Sequence, residues 1–266
     1  MLATAATCRY DHTGLRRLWR HWDVVVYVVA LFLMSGKIGH ALNPRDWDPW
    51  LIRVERAGGG LALLQWVQTW ANRPLDELGK ILWVSYYFLA LAPGLPLYWR
   101  ARPGGDGGAA FREAKLAIAL GYVLSFLGYL FTPALGPLHF KAELGLTDPT
   151  TGVLVAGALK KAVTALHGTT ARYAFPSGHA LTTAVYGWCL VRHRVRPLVW
   201  FALPWFGGVI LSTLYLRYHY LSDVIAGLAL AAVACAAATH WHARYARGTG
   251  AATALPRLLD SGDVDS

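Results

Sequence analysis

Residues Leu221–His242, with the sequence LSDVIAGLALAAVACAAATHWH, decide the fold class of this chain. The stretch contains no Lys, Arg or Glu, and its one Asp, Asp223, stands near its beginning. A helix needs roughly 20 mostly apolar residues to cross a bilayer, because lipid cannot satisfy an open backbone. The stretch therefore predicts a membrane-spanning helix with Asp223 at one of its mouths.

Five further segments upstream have a similar apolar character. They run over about Trp22–His40, Leu75–Trp99, Ala114–Pro133, Gly178–Val191 and Leu198–Leu214. The segment from Gly178 is short and needs its flanks to complete a crossing. We therefore predict an all-α polytopic membrane bundle of about six transmembrane helices over residues 22–247. Residues 1–21 are predicted to form a cytoplasmic tail, and residues 248–266, which are small and polar, a disordered one.

The composition indicates a membrane protein and excludes other classes. Hydrophobic residues make up 55% of the chain and charged residues 15%, whereas about a quarter of a typical soluble domain is charged. The 12 Trp and 13 Tyr favour membrane–water interfaces. The net charge of +10 does not indicate nucleic-acid binding, because the basic residues cluster just beyond the apolar segments. The three cysteines have no short spacing, so neither a disulfide framework nor a zinc site is expected.

The basic clusters predict the orientation of the bundle. With six crossings they all fall on one side, and they consist of Arg16, Arg17, Arg20, Arg100, Arg102, Arg112, Lys115, Arg192, Arg194, Arg196, Arg244 and Arg247. The positive-inside rule makes that side cytoplasmic. We therefore expect the chain in a bacterial cytoplasmic membrane with both termini in the cytoplasm. The loops of residues 41–74, 134–177 and 215–220 then lie on the opposite side.

Two polar segments on that opposite side are candidates for chemistry. The first is Phe175-Pro176-Ser177-Gly178-His179, just before the fourth apolar segment. Ser is a capping residue at a helix start, Gly permits close backbone approach, and a helix N-terminus attracts anions. His179 would stand in the first turn of this helix. Taken alone, the segment favours the simpler alternative of a capped helix entry with an interfacial histidine.

The second segment runs from Ser212 to Gly227 and contains His219 and Asp223. These two residues are four apart, so on a helix they share one face. An Asp that accepts from one imidazole nitrogen fixes the tautomer and leaves the other nitrogen with its lone pair, as a nucleophile requires. A charge at the start of an apolar span is usually functional. The alternative is an ordinary polar pair at a helix mouth.

Together, Pro-Ser-Gly-His and the later Ser…His-x-x-x-Asp resemble motifs of the type 2 phosphatidic-acid phosphatase superfamily. The resemblance covers roughly residues 75–238 and implies a membrane bundle with its active site at the outer face. It implies that His219 attacks phosphorus and forms a phosphohistidine, that Asp223 orients His219, and that His179 protonates the leaving group and activates the acceptor. It also implies phosphate-binding residues, namely Ser177, Gly178 and Ser212. No metal or other cofactor is expected.

The chain departs from the superfamily pattern in its phosphate-binding cations. The usual first motif, Lys-x6-Arg-Pro, corresponds here to residues 128–139, GYLFTPALGPLH, which contain no Lys or Arg. The last motif opens with Ser212-Thr213 instead of Ser-Arg. Replacement residues are expected on the outer side, and the candidates are Arg217, Arg172, the pair Lys160–Lys161 and, as a further contact, His139. The altered first motif resembles the branch that contains the inositol phosphorylceramide synthases.

The sequence thus predicts a membrane enzyme whose substrate is a lipid phosphate ester. If water completes the reaction it is a phosphatase, and if inositol or another alcohol does so it is a head-group phosphotransferase. The sequence leaves both open, and the oligomeric state as well. A transporter or a non-enzymatic lipid-binding protein would place ionisable groups at mid-membrane. Here the ionisable groups gather at one face of the bundle instead.

Overall fold

The computed structural model describes residues 14–101, 108–148 and 172–259, and these residues form helices and no β-strand. The predicted all-α class is therefore confirmed for the described part of the chain. The helices are α1 (Gly14–Leu42), α2 (Asp48–Gly58), α3 (Gly60–Gln68), α4 (Arg73–Ser85), α5 (Leu91–Arg100), α6 (Gly108–Phe131), α7 (Lys141–Leu144), α8 (Gly178–Arg192), α9 (Arg196–Tyr215) and α10 (Leu221–Leu259). Short 3₁₀ turns lie at Tyr86–Phe88 and Pro137–Phe140.

Four helical segments of the described chain are long and apolar enough to cross a membrane. They are Arg73–Arg100, Gly108–Phe131, Leu198–Tyr215 and Leu221–Tyr245, and a shorter apolar segment covers His21–Phe32. The described chain thus has four candidate membrane-spanning helices, and the number of six crossings stays a prediction. Helix α10 continues to Leu259 and so includes residues 248–259, for which the sequence predicts disorder.

Helix α8 is the central element of the bundle. It packs against α5, α6, α9 and α10, and residues such as Leu181, Val185, Tyr186 and Leu190 are fully buried. Its 15 residues span about 22 Å, which is less than the roughly 30 Å hydrocarbon layer of a bilayer. Because other helices surround α8, few of its side chains contact lipid. Its residues can therefore be small where helices pack closely, or polar near the site.

The outer surfaces of α9 and α10 are apolar along much of their length. Phe201, Leu211 and Val233 are 71%, 66% and 55% exposed. A protein in water rarely leaves a long apolar surface uncovered. These side chains are therefore suited to contact with lipid tails.

The second apolar segment of the sequence is two helices, α4 and α5, separated by the 3₁₀ turn at Tyr86–Phe88. Proline explains the position of the break. Pro93 has no N–H to donate to Leu89, and the break places it in the first turn of α5, where an intrahelical donor is not required.

The two ends of the bundle differ in charge. At one end, Arg100 donates to the carbonyl of His193 at 2.9 Å, and Arg192 pairs with Glu113 at 3.3 Å. A buried pair of Lys115 with Asp23, at 2.5 Å, joins α6 to α1. We call this the basic end. We call the opposite end, at which α8 and α10 begin, the site end.

Candidate active site

The two sequence motifs meet at the site end, where α8 and α10 begin. The Ser177 amide donates to the main-chain carbonyl of Asp223 at 2.9 Å. Gly227, one turn further along α10, permits this approach, because a Cβ there would lie 2.5 Å from the Ser177 carbonyl oxygen. The contact brings the rings of His179 and His219 to a centroid distance of 5.7 Å.

A main-chain carbonyl orients the imidazole of His219. Its Nδ1 lies 2.8 Å from the carbonyl oxygen of Ala174, which can only accept, so Nδ1 carries the proton. Nε2 therefore holds the lone pair, as a nucleophilic histidine requires. The sequence predicts Asp223 as the residue that fixes this tautomer, but the Asp223 Oδ2 is further from Nδ1, at 3.4 Å.

Asp223 reaches His219 through a helix cap. Helix α10 begins at Leu221, so His219 lies in the preceding loop and does not share a helical face with Asp223 as the spacing suggests. The Tyr220 amide donates to the Asp223 Oδ2 at 2.8 Å, as the N-cap amide does to the third helical residue of a capping box. This bond turns the buried carboxylate back toward the loop, where its charge can stabilise a positively charged imidazole.

His179, in the first turn of α8, is held between aromatic rings. Its ring lies 5.3 Å from the Trp83 ring at an interplanar angle of 22°, and 4.1 Å from the Tyr86 ring at 35°. Trp83 also contacts Tyr218, at 5.1 Å. The end of α4 and the turn that follows it therefore form one wall of the site, and this wall contacts both His179 and the His219 loop.

The three small residues predicted to bind phosphate all have structural contacts. The Ser177 hydroxyl oxygen accepts the Ala180 amide at 3.2 Å and caps α8. A Cβ on Gly178 would lie 2.2 Å from the Tyr129 hydroxyl oxygen, so a larger residue there would have to displace the Tyr129 side chain. The Ser212 hydroxyl donates to the Val209 carbonyl at 2.7 Å. These contacts hold the start of α8 and the end of α9 in place, and the phosphate-binding role of the three residues stays a prediction.

Arg217 is a buried cation in the loop that carries the candidate nucleophile. It precedes His219 by two residues, is 1% exposed and adopts a left-handed backbone conformation with φ 58°. Its Nη1 donates to the Tyr215 carbonyl at 3.0 Å and its Nη2 to the Thr147 hydroxyl at 3.3 Å. The Arg217 Nε has no hydrogen-bond partner among the described residues.

The charge of Arg217 persists despite its burial. Desolvation lowers the pKa of the guanidinium, and the nearby Asp76 carboxylate opposes that change. An arginine keeps its proton in such surroundings, because its ordinary pKa is so high. A buried positive charge in the His219 loop suits a phosphate group.

The other predicted basic residues lie further out. Arg172 donates to the Asp46 carboxylate at 2.5 Å and to the Asn43 carbonyl at 2.8 Å, so it ties the segment before α8 to the loop after α1. His139 is exposed on the 3₁₀ turn, with Nδ1 3.1 Å from the Leu135 carbonyl. Lys160 and Lys161 lie outside the described residues.

The stretch that corresponds to the superfamily's first motif contributes close packing to the site. A Cβ on Gly128 would lie 2.0 Å from the Pro176 Cδ, and a Cβ on Gly136 would lie 2.6 Å from the Tyr218 carbonyl oxygen. Gly136 also has a φ of 91°, which side chains other than glycine rarely adopt. The stretch thus packs against both other motifs through its glycines.

Among the described residues, sequence reasoning missed several buried ionisable residues near the site. Asp48 and Glu55 on α2 contact the loops around His219, and Lys80 lies on α4 one turn before Trp83. The spacing of the buried residues Asp48, Leu51, Ile52 and Glu55 is that of one helical face, with an acid at each end. That pattern is visible in the sequence and could have indicated acids turned inward.

Comparison with known proteins supports one family. The family model described as the PAP2 superfamily matches residues 49–237. No curated protein and no solved structure matches the chain. The matched range begins at the start of α2 and ends within α10, so it includes both motifs and all the helices from α3 to α9.

Substitution of Gly227 by alanine tests the contact between α8 and α10. We expect Gly227→Ala to lower the free energy of unfolding in detergent by about 1–3 kcal/mol, because its Cβ meets a main-chain oxygen that cannot move independently of α8. Gly207→Ala on α9 is the control, since no described atom lies within 4 Å of a Cβ there. Equal stability of the two variants would contradict the packing described.

Proposed function

This chain belongs to the PAP2 superfamily, and on that premise we propose that it hydrolyses or transfers a lipid phosphate ester through a covalent intermediate on His219. The membrane-type helices are consistent with an enzyme of the phosphatase type that acts within a membrane. The observation that supports the covalent route most directly is the Ala174 carbonyl on Nδ1, because it leaves the Nε2 lone pair for attack.

In the first half of the proposed reaction, Nε2 of His219 forms a bond to phosphorus as the bond from phosphorus to the lipid oxygen breaks. His179, as an imidazolium, gives its proton to that oxygen. The imidazole of His219 becomes positively charged while it carries the phosphoryl group, and the Asp223 carboxylate, 3.4 Å from Nδ1, stabilises this charge. Neutral His179 remains.

In the second half, His179 accepts the proton of an incoming hydroxyl as its oxygen attacks phosphorus. The bond from phosphorus to Nε2 breaks, and His219 recovers its lone pair. Water gives inorganic phosphate, or a phosphorylated head group if that is what the enzyme carries, and an alcohol gives a new ester. One histidine thus serves as acid and then as base.

The negative charge on the transferring phosphoryl group requires cations or hydrogen-bond donors. Arg217 is the best placed of the predicted residues, since it is buried and two residues from His219. Arg172 already neutralises Asp46 and is less available. With this guanidinium and main-chain amides as donors, the proposed reaction needs no metal.

A head-group phosphotransferase of the inositol phosphorylceramide synthase type is the second candidate. One observation favours it: the first-motif stretch contacts the other motifs through Gly128 and Gly136, without the Lys and Arg of the common phosphatase pattern. An active site with fewer cations leaves room for a second, neutral substrate such as inositol.

We further propose that the bundle crosses the membrane six times, with the site end outside the cytoplasm. The basic end carries Arg100, Lys115 and Arg192, which agrees with the positive-inside rule. The lipid phosphate would then be taken from the outer leaflet.

Substitution of His219 tests the covalent route. We expect His219→Ala to lower the turnover of a radiolabelled lipid phosphate by about 10³-fold or more, because no other group takes over the attack on phosphorus. The wild-type protein, quenched during turnover, should carry an acid-labile label that the variant lacks. His240→Ala, at an exposed histidine on α10 that lies 17 residues after Asp223, is the control. Full activity of His219→Ala would remove this assignment.

The acceptor distinguishes the two candidate functions. For a phosphatase, we expect product from the lipid phosphate in water alone, at a rate that added inositol does not increase. For a transferase, product should appear only when inositol or another alcohol is supplied. The measurement is product formation by purified protein in detergent micelles, with and without the alcohol.

Reporter fusions test the orientation. A reporter inserted after Asp148, in the loop that precedes the Pro-Ser-Gly-His motif, should lie outside the cytoplasm. The same reporter inserted after Arg194, between α8 and α9, should be cytoplasmic, because the two positions lie at opposite ends of α8. A cytoplasmic signal from the first fusion would place the active site on the other side of the membrane.

A further inference from the structure

Helix α2 presents two carboxylates to the inside of the protein. Its buried face consists of Asp48, Leu51, Ile52 and Glu55, and both acids are at most 2% exposed. A buried carboxylate is costly unless donors surround it. The hydrogen-bond partners of each carboxylate therefore indicate its structural role.

Asp48 fixes the loop that follows α6. Its Oδ2 accepts the Leu135 amide and its Oδ1 the Gly136 amide, both at 2.8 Å. The Tyr220 hydroxyl donates to the same Oδ1 at 3.2 Å. Because Tyr220 follows His219 directly in the chain, Asp48 joins the first-motif stretch to the loop that carries the nucleophile.

Glu55 fixes the start of α10. Its Oε1 accepts the Ser222 amide at 2.7 Å and its Oε2 the Leu221 amide at 3.2 Å. These are the first amides of the helix, which have no partner within it. Asp223 accepts the preceding amide, that of Tyr220. Three successive amides after His219 are thus each bound by a carboxylate.

Gly60 gives Glu55 the space for this contact. A Cβ on Gly60 would lie 1.9 Å from the Glu55 Oε2. The clash would be with the end of a flexible side chain, so an alanine at this position would displace the Glu55 carboxylate without a large change in the backbone. A substitution of Gly60 can therefore displace the Glu55 carboxylate without replacing Glu55 itself.

We propose that Asp48 and Glu55 are positioning residues of the active site. They hold residues 135–136 and 220–222 from the outside, so that the His219 ring stays on the Ala174 carbonyl and Nε2 keeps its direction. The inference rests on the proposed function only for the identity of the reaction that is slowed. The contacts themselves belong to the fold.

The test compares two disturbing variants with two matched controls. Glu55→Gln replaces one acceptor oxygen by a donor, and Gly60→Ala displaces the carboxylate. Glu143→Gln removes a half-exposed carboxylate that pairs with Arg56. Gly58→Ala adds a methyl group where no described atom lies within 4 Å. Lipid phosphate turnover, normalised to folded protein, and hydrogen exchange of the amides at 220–222 are measured for each.

We expect kcat to fall about 10- to 100-fold in Glu55→Gln and in Gly60→Ala, with KM changed less than about twofold, because a misaligned nucleophile slows chemistry more than binding. The 220–222 amides should exchange faster in both variants. The controls should match the wild type.

Wild-type kcat per folded molecule in either disturbing variant would overturn the proposal, and so would exchange of the 220–222 amides in Glu55→Gln as slow as in the wild type. Turnover that survives in His219→Ala would instead overturn the proposed function. The hydrogen exchange of the amides at 220–222 would then decide whether Glu55 positions the loop.

Discussion

The contact between the start of α8 and the first turn of α10 is the constraint on which the site depends. The Ser177 amide bonds to the Asp223 carbonyl at 2.9 Å, and the contact needs a glycine at position 227. Ala174, three residues before Ser177, then lies where its carbonyl can hold His219. The same junction therefore fixes the position of His179, the tautomer of His219 and the distance from the Asp223 carboxylate to the His219 ring.

Three buried carboxylates bind the main chain in and around the nucleophile loop. Asp48, Glu55 and Asp223 bind the main-chain amides around it, and the start of α10, the positive end of its helix dipole, is thereby occupied. A substrate phosphate would be repelled from these carboxylates. The Arg217 guanidinium carries the opposite charge, and it is the cation that we propose for the phosphate.

Much of the fold could be predicted from apolar length, and less of the site. Helices α6, α9 and α10 follow from long apolar runs, whereas the break between α4 and α5 depends on where Pro93 must fall. The meeting of His179 with the His219 loop follows from the resemblance of the motifs. The role of Ala174 could not be predicted, because every residue has a main-chain carbonyl and the residue type does not show which one will bind His219. The acids of α2 depend on the surface against which that helix packs.

The geometry of the His219 ring constrains where a phosphate can react. Nδ1 faces the Ala174 carbonyl and Asp223, and Nε2 lies on the other side of the ring. In-line displacement requires the leaving oxygen to lie beyond phosphorus on the line from Nε2. In the proposed reaction His179 protonates this leaving oxygen, so a nitrogen of His179 must lie within hydrogen-bond distance of it. The stacked Trp83 ring and the tilted Tyr86 ring restrict the orientation of the His179 ring, and so they restrict the directions of its two nitrogens.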